Sequence, residues 1–323
     1  MAITRVLALA IGALLVLGGC APVGDTPDAT VEDTSTTPLP VLETYTGISV
    51  VEDLAFGSAA DDTLLDVCLP ENTDPVTVSG TASAAVSAPR PVVMSIHGGS
   101  WRQGDKAGIY WRSVCEWLAS EGFVGVSVNY RLAPENTFPA AIDDVRAAVR
   151  WLRDDEQAER FNIDPDRIGA FGGSAGGNLA ALLGLEGTGD LTDGSRVAAV
   201  VDLSGPVDLT TNGFALGGVE PGFRSIQLDY LGCASYADCP QAEAASPLYF
   251  VDPSDPPVFV AHSTNEIIPQ EQSDALVSAL REAGVPTTYI TVDGAMHSIA
   301  MLDDDLRSRI IAFLHENLVL ENP

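Results

Sequence analysis

Gly172-Gly173-Ser174-Ala175-Gly176 follows directly on an apolar run that ends at Phe171 and leaves the chain little choice of local structure. It fits Gly-x-Ser-x-Gly, in which a strand predicted over Arg167–Phe171 turns sharply into a helix predicted over Gly177–Leu185, with Ser174 at the strained tip. Glycine at Gly172 and Gly176 removes the Cβ atoms that would collide where strand and helix pass, and it tolerates the backbone angles of such a turn. A second string, His97-Gly98-Gly99-Ser100-Trp101, follows a strand predicted over Val92–Ile96. Backbone N–H groups at Gly98, Gly99 and Ala175 can together hold a developing oxyanion. Other glycine-rich loops are excluded: no lysine follows as a phosphate-binding loop requires, and the dinucleotide spacing Gly-x-Gly-x-x-Gly is absent.

Apolar runs alternate with helical patterns, which predicts an α/β chain with a mostly parallel sheet flanked by helices. Strands are expected at Ile48–Phe56 and Thr63–Leu69, as an opening antiparallel pair, then at Val92–Ile96, Phe123–Val128, Arg167–Phe171, Val197–Leu203, Pro257–Ala261 and Thr287–Val292. Ile142, Val145, Val149 and Leu152 share one helical face, as do Leu306, Ile310, Phe313 and Leu314; these are core positions. In open α/β sheets chemistry gathers beyond the carboxyl ends of the strands, and His97, Ser174, Glu266 and His297 all fall there. Residues 209–250 interrupt the alternation and are expected to form a small cap over the site.

Residues 1–20 read as an export signal: a single charge at Arg5, an apolar run from Val6 to Leu17, and Leu17-Gly18-Gly19-Cys20 at its end. The run falls short of the roughly twenty apolar residues of a membrane span. The final string resembles the bacterial lipoprotein box, which makes Cys20 the expected lipid anchor and the cell envelope the expected location; an ordinary cleaved signal would give a secreted protein. Residues 21–44, rich in Thr, Pro, Asp and Ser, predict a disordered tether, and Asn72–Arg90 a surface loop. This leaves residues 45–323 as one domain.

The formal net charge of -29 excludes nucleic acid as a natural partner. A membrane contact is expected only through Cys20, and nothing in the sequence specifies an oligomeric state. Besides Cys20 the chain has Cys68, Cys115, Cys233 and Cys239, an even number that in an exported protein predicts disulfides. A local Cys233–Cys239 bridge, leaving Cys68 with Cys115, fits the spacing, which leaves the connectivity open. No metal-ligand spacing is present.

Taken in order, His97-Gly98-Gly99-Ser100-Trp101, Asn129-Tyr130-Arg131-Leu132-Ala133-Pro134, the Ser174 string, Ser246-Pro247 before Pro256-Pro257, and Gly294-x-x-His297 resemble the α/β-hydrolase carboxylesterases of the hormone-sensitive-lipase-like and bacterial feruloyl-esterase-like group. The resemblance covers nearly all of residues 45–323. It implies the α/β-hydrolase fold, a serine nucleophile and no cofactor.

That fold orders its triad as Ser, acid, His. Of four histidines, His97 precedes the serine, His315 lies in a terminal amphipathic helix, and His262 ends a strand before any suitable acid loop, so His297 is the expected base. The acid departs from the resemblance. The related loops carry aspartate in His-Gly-x-x-Asp-x-x-Val-Pro, whereas His262-Ser263-Thr264-Asn265-Glu266-Ile267-Ile268-Pro269 is one residue shorter. Counting back from Pro269 selects Asn265, and counting forward from the strand selects Glu266. Strand register is fixed by hydrogen bonds while loops absorb deletions, which favours Glu266, with Asp274 as the alternative. Trp101 is a candidate pocket wall, or else packs the oxyanion loop. Asp143 and Asp144 lie on the polar face of a helix and read as solvated or structural.

The expected activity is hydrolysis of small-molecule carboxylic esters, short-chain, acetylated or aromatic, through an acyl-enzyme on Ser174. Amide hydrolysis, as by an arylformamidase or peptidase, is the alternative within the fold. A non-catalytic surface binding protein is the alternative outside enzymes, motivated by Asn265 and the shortened acid loop.

Overall fold

The structure, a computed structural model, describes residues 45–57, 63–70 and 88–319. The expected export signal with Cys20, the tether, and residues 72–87 of the expected surface loop lie outside the described residues.

Eight strands form one sheet: β1 (Ile48–Ala55), β2 (Leu64–Pro70), β3 (Arg90–Ile96), β4 (Val124–Val128), β5 (Ile163–Gly173), β6 (Ala199–Leu203), β7 (Val258–Ser263) and β8 (Thr287–Val292), in the order β1-β2-β4-β3-β5-β6-β7-β8. β1 pairs antiparallel with β2, and β2 with β4; every later pairing is parallel. Helices α1 (Ile109–Ser120), α2 (Ala140–Arg153), α3 (Asp155–Phe161), α4 (Ala175–Leu185), α5 (Pro221–Leu231), α6 (Gln241–Ala244), α7 (Gln270–Glu282) and α8 (Asp304–Leu318) complete the described fold. This is the mostly parallel, helix-flanked sheet expected from the alternation of runs, and the α/β-hydrolase architecture that the resemblance implies.

Strand side chains alternate between the two faces of the sheet and so build two cores. Val92, Met94 and Ile96 of β3 join Val258 and Val260 of β7 in the core covered by α2, α4 and α7. Val93, Phe171, Phe259 and Ala261 point the other way, into the core covered by α1 and α8. The expected faces hold: Ile142, Val145, Val149 and Leu152 are buried, as are Leu306, Ile310, Phe313 and Leu314. Cys68 is bonded to Cys115, tying β2 to α1, and Cys233 to Cys239 within the insertion.

Several boundaries differ from the sequence reading, among them those of the elements on either side of Ser174. α4 begins at Ala175, two residues before the expected Gly177, because Gly176 and Gly177 are kept in the helix by close packing despite their poor propensity. A Cβ on Gly176 would fall on the Ile96 carbonyl, and one on Gly177 on the Asp202 carboxylate. β5 starts earlier than Arg167, with an irregular pairing to β3 between Ile163 and Ile168.

The insertion is tied to the body at its roots. Val207 and Asp208 both donate their N–H to Gln272 Oε1 on α7 at 2.9 Å, and Leu209 donates to Ser246 Oγ at 2.8 Å. Gly217, Val219 and Arg224 of the insertion face Thr264 and Glu266 across a cleft of about 940 Å³, so the segment lies over the acid loop.

Candidate active site

Ser174 stands between β5 and α4 with φ 58° and ψ -124°, a conformation rarely adopted by a side-chain-bearing residue. Several contacts hold it there. Its N–H donates to the Leu203 carbonyl of β6 at 2.9 Å, its C=O receives the Asn178 N–H at 3.1 Å, and a Cβ on Gly172 would overlap the Gly176 carbonyl. Ala175 is the first helical residue, so its N–H has no intrahelical acceptor and points off the α4 N-terminus.

The His97–Trp101 loop closes over this turn. Gly98 lies directly against the Ser174 turn: a Cβ there would sit 2.8 Å from the Gly173 carbonyl oxygen and 3.3 Å from Ser174 Cβ. Gly99 (φ 114°), Ser100 (φ 58°) and Trp101 (φ 57°) follow in left-handed or glycine-only conformations, which turns the chain back on itself. The loop is braced by His97, whose ring stacks on Tyr130 at 4.2 Å and whose Nδ1–H donates to the Gly98 carbonyl at 2.8 Å, while the Tyr130 hydroxyl donates to the His97 carbonyl at 2.9 Å. Burial holds the His97 pKa down at about 4, so the ring is neutral and structural at neutral pH. Past the loop, Lys106 Nζ is buried between Asp66, at 2.7 Å, and Asp53, at 2.8 Å, anchoring the segment to β1 and β2.

Trp101 does not wall a pocket. It is fully buried, stacked on Tyr230 of α5 at 4.3 Å, with its indole N–H donating to Asn178 Oδ1 at 3.2 Å. The physical reason is the left-handed backbone at residues 100 and 101, which turns the indole inward beneath the insertion. Asn178 is one of the residues whose role sequence reasoning missed: besides Trp101 it bonds the Pro206 carbonyl at 3.0 Å and the Ala245 carbonyl at 3.1 Å, joining the Ser174 turn, the His97–Trp101 loop and both roots of the insertion. The Asn directly after the glycine string was the available signal.

On the other side of the serine, the loops after β7 and β8 are zipped together. Thr264 N–H donates to the Val292 carbonyl and Asn265 N–H to the Gly294 carbonyl, both at 2.9 Å, and Ser263 Oγ donates to the Met296 carbonyl. This pairing sends the Asn265 side chain to solvent and the Glu266 side chain inward, where it is fully buried. His297 Nδ1–H donates to Glu266 Oε2. Its Nε2 is buried and has no hydrogen-bond partner among the described residues. Ser298, next in the chain, brings its Oγ against Gly173, next to Ser174; a Cβ on Gly173 would overlap it. The alternative acid, Asp274, lies instead on the exposed side of α7, accepting from the Tyr289 hydroxyl at 2.7 Å.

Electrostatics follow from burial and pairing. Burial alone would raise the Glu266 pKa, but the hydrogen bonds and charges of His262 and His297 outweigh it and hold the carboxyl below its ordinary range. Asp202, buried on β6, is pushed up to about 6 by desolvation despite an N–H bond from Gly205. Asp144 is buried against Arg131, which contacts both of its carboxylate oxygens at 2.7–2.8 Å, while Asp143 is exposed and pairs with Arg146, so the expected polar face holds for Asp143 alone.

Comparison with known proteins agrees with this fold. A model of the BD-FAE family matches residues 82–280. Esterase LipQ of Mycobacterium tuberculosis is 32% identical over 69% of this chain and 53% of its own length. The probable carboxylic ester hydrolase LipM of the same organism is 29% identical over 82% of this chain and 60% of its own. The chain thus spans little more than half the length of these curated relatives. Among solved structures, a truncated carbohydrate esterase from gut microbiota superposes with a TM-score of 0.70 at 25% identity, covering 86% of this chain and 98% of that one. With the family model spanning more than half of its residues, and with the eight-stranded sheet and nucleophile turn in place, the chain belongs to the BD-FAE family of the α/β-hydrolase fold.

Proposed function

We propose that the protein is a serine carboxylic-ester hydrolase in which Ser174, His297 and Glu266 form the triad. The observation that carries this reading is the Glu266–His297 hydrogen bond, which leaves His297 Nε2 buried and without a partner among the described residues, while Ser298, next in the chain, lies against Gly173 of the strained Ser174 turn. His297 Nε2 takes the Ser174 proton as Oγ forms a bond to the ester carbonyl carbon. The carbonyl π electrons move onto oxygen, and the N–H groups of Gly98, Gly99 and Ala175 receive that charge. Collapse breaks the carbon–oxygen bond to the alcohol, which leaves with the proton from imidazolium. Water, deprotonated by the same nitrogen, then attacks the acyl-enzyme and releases the carboxylic acid and free serine. Glu266 keeps the Nδ1 proton in place and stabilises the imidazolium. No step calls for a cofactor.

The substrates proposed are small short-chain, acetylated or aromatic esters. The proposed setting is the cell envelope, reached by the residue 1–20 signal and held by a lipid on Cys20. The names of LipQ and LipM, which match 69% and 82% of this chain, support the ester reading over the amide one; an arylacetamide deacetylase of Bos taurus matches only 27% of it. The test is parallel turnover of p-nitrophenyl acetate and p-nitroacetanilide by wild type and Ser174→Ala. Ester turnover lost in the variant is the expected result. Faster anilide turnover would favour an amidase, and no turnover of either would favour the binding protein.

A further inference from the structure

Glu266 is held by more than the base it faces. Its second oxygen, Oε1, is buried, lacks a well-aligned donor, and lies 2.7 Å from Nε2 of His262. His262 ends β7 and is fully buried. Its Nε2 is also 2.8 Å from the Ile268 carbonyl oxygen, and its Nδ1 is 2.7 Å from Ser273 Oγ on α7.

These contacts determine where the proton sits. Two acceptor oxygens face Nε2, and a bare lone pair there would repel both; Nε2 must therefore carry the hydrogen. Nδ1 then accepts from the Ser273 hydroxyl, and every polar atom of the ring is used. The ring spans the acid loop from the strand before it to the helix after it. A loop one residue shorter than its relatives and a side chain one methylene longer than aspartate need such a brace, because glutamate has an additional rotatable bond.

We propose that His262 is a positioning residue: its Nε2–H, donated to the Ile268 carbonyl of the same loop, also attracts Glu266 Oε1 from 2.7 Å away and holds the carboxylate so that Oε2 is presented to His297 Nδ1. The proposal rests on the triad reading above. The charged groups acting on His262 are Glu266 and, from β6, Asp202. Burial disfavours the charged ring, and the hydrogen bond and charge of Glu266 more than offset this, so its pKa lies above the ordinary histidine value.

The test uses two amides of different reach. In His262→Gln the amide nitrogen reaches the Nε2 position, and in His262→Asn only the Nδ1 position. With p-nitrophenyl acetate, the Gln variant is expected to keep kcat within about threefold of wild type, and the Asn variant to lose about tenfold or more with KM little changed, as for a misplaced catalytic group. Equal kcat in the two folded variants would overturn the proposal. If the Asn variant does not fold, nitrogen NMR of wild type and Glu266→Gln decides: a neutral His262 protonated on Nε2, with a pKa that falls in Glu266→Gln, is expected. A neutral ring protonated on Nδ1 instead of Nε2, or an unchanged pKa, would overturn it. Wild type without esterase activity would instead remove the function proposed above, while the NMR result would still judge the His262–Glu266 contact.

Discussion

His297 Nδ1 is hydrogen-bonded to Glu266 Oε2, although 31 residues separate the two in the chain. The bond is made possible by the backbone pairing of Thr264 and Asn265 with Val292 and Gly294, which brings the two loops together and selects Glu266 rather than Asn265 as the inward residue.

Replacing Glu266 by Gln removes the charge that stabilises the imidazolium and permits the wrong tautomer. The expected loss in kcat is about a thousandfold or more, with little change in stability. Glu266→Asp, one methylene short, is expected to fall between Gln and wild type, and Asp274→Asn to remain at wild-type activity, since Asp274 bonds Tyr289 on the exposed side of α7. Steady-state turnover of the three variants checks this. A large loss in Asp274→Asn with little in Glu266→Gln would move the acid to α7.

Gly98→Ala places a methyl group 2.8 Å from the Gly173 carbonyl oxygen and 3.3 Å from Ser174 Cβ. The loop must retreat, taking its N–H donors with it. A fall in kcat of about a hundredfold is expected, on the scale of losing one oxyanion donor, with native far-ultraviolet circular dichroism.

Trp101 contributes packing, not substrate contact. Trp101→Ala removes the stack on Tyr230 and the bond to Asn178, for an expected cost of about 3–5 kcal/mol in urea unfolding. Trp101→Phe keeps an aromatic ring over Tyr230 and is expected to preserve the relative rates on acetate, butyrate and octanoate esters. A changed chain-length preference in Trp101→Phe would restore Trp101 to the pocket.

His97 makes stability depend on pH. Its folded pKa of about 4 lies below the ordinary 6.5, so the unfolded chain binds the proton first as pH falls. Stability is therefore full above pH 6.5 and is lost as pH falls toward 4, by about 3 kcal/mol in total. Asp202, pushed up to about 6, acts with the opposite sign in this range, so the absolute profile mixes the two. His97→Asn keeps a donor toward the Gly98 carbonyl and does not titrate. Urea unfolding across this range is expected to show a steeper acid loss in wild type than in the variant; parallel profiles would contradict the assignment.

The central sheet was legible in the sequence because burial on both faces makes a parallel strand a short, largely apolar run, as in the fully buried β6, whereas the partly buried edge strand β8 (Thr287–Val292) was legible from its β-branched and aromatic residues. Glu266 was legible because β7 sets the count into its loop. What escaped was direction. Whether an aromatic on a glycine loop faces a pocket or the core depends on backbone angles at Ser100 and Trp101 that residue types do not specify, and Trp101 went inward. Asn178, His262 and Ser298 escaped because their roles arise from contacts between distant segments: Asn178 with residues 206 and 245, His262 with Ser273 of α7, and Ser298 with Gly173.

The central claim is that Ser174 is a nucleophile activated by His297 and Glu266. The most direct measurement is covalent labelling with a fluorophosphonate, with the modified peptide located by mass spectrometry in wild type, Ser174→Ala and Glu266→Gln. The account predicts one label per chain on Ser174, none in Ser174→Ala, and strongly slowed labelling in Glu266→Gln. Absence of label in folded wild type, label on another residue, or an undiminished rate in Glu266→Gln would contradict it.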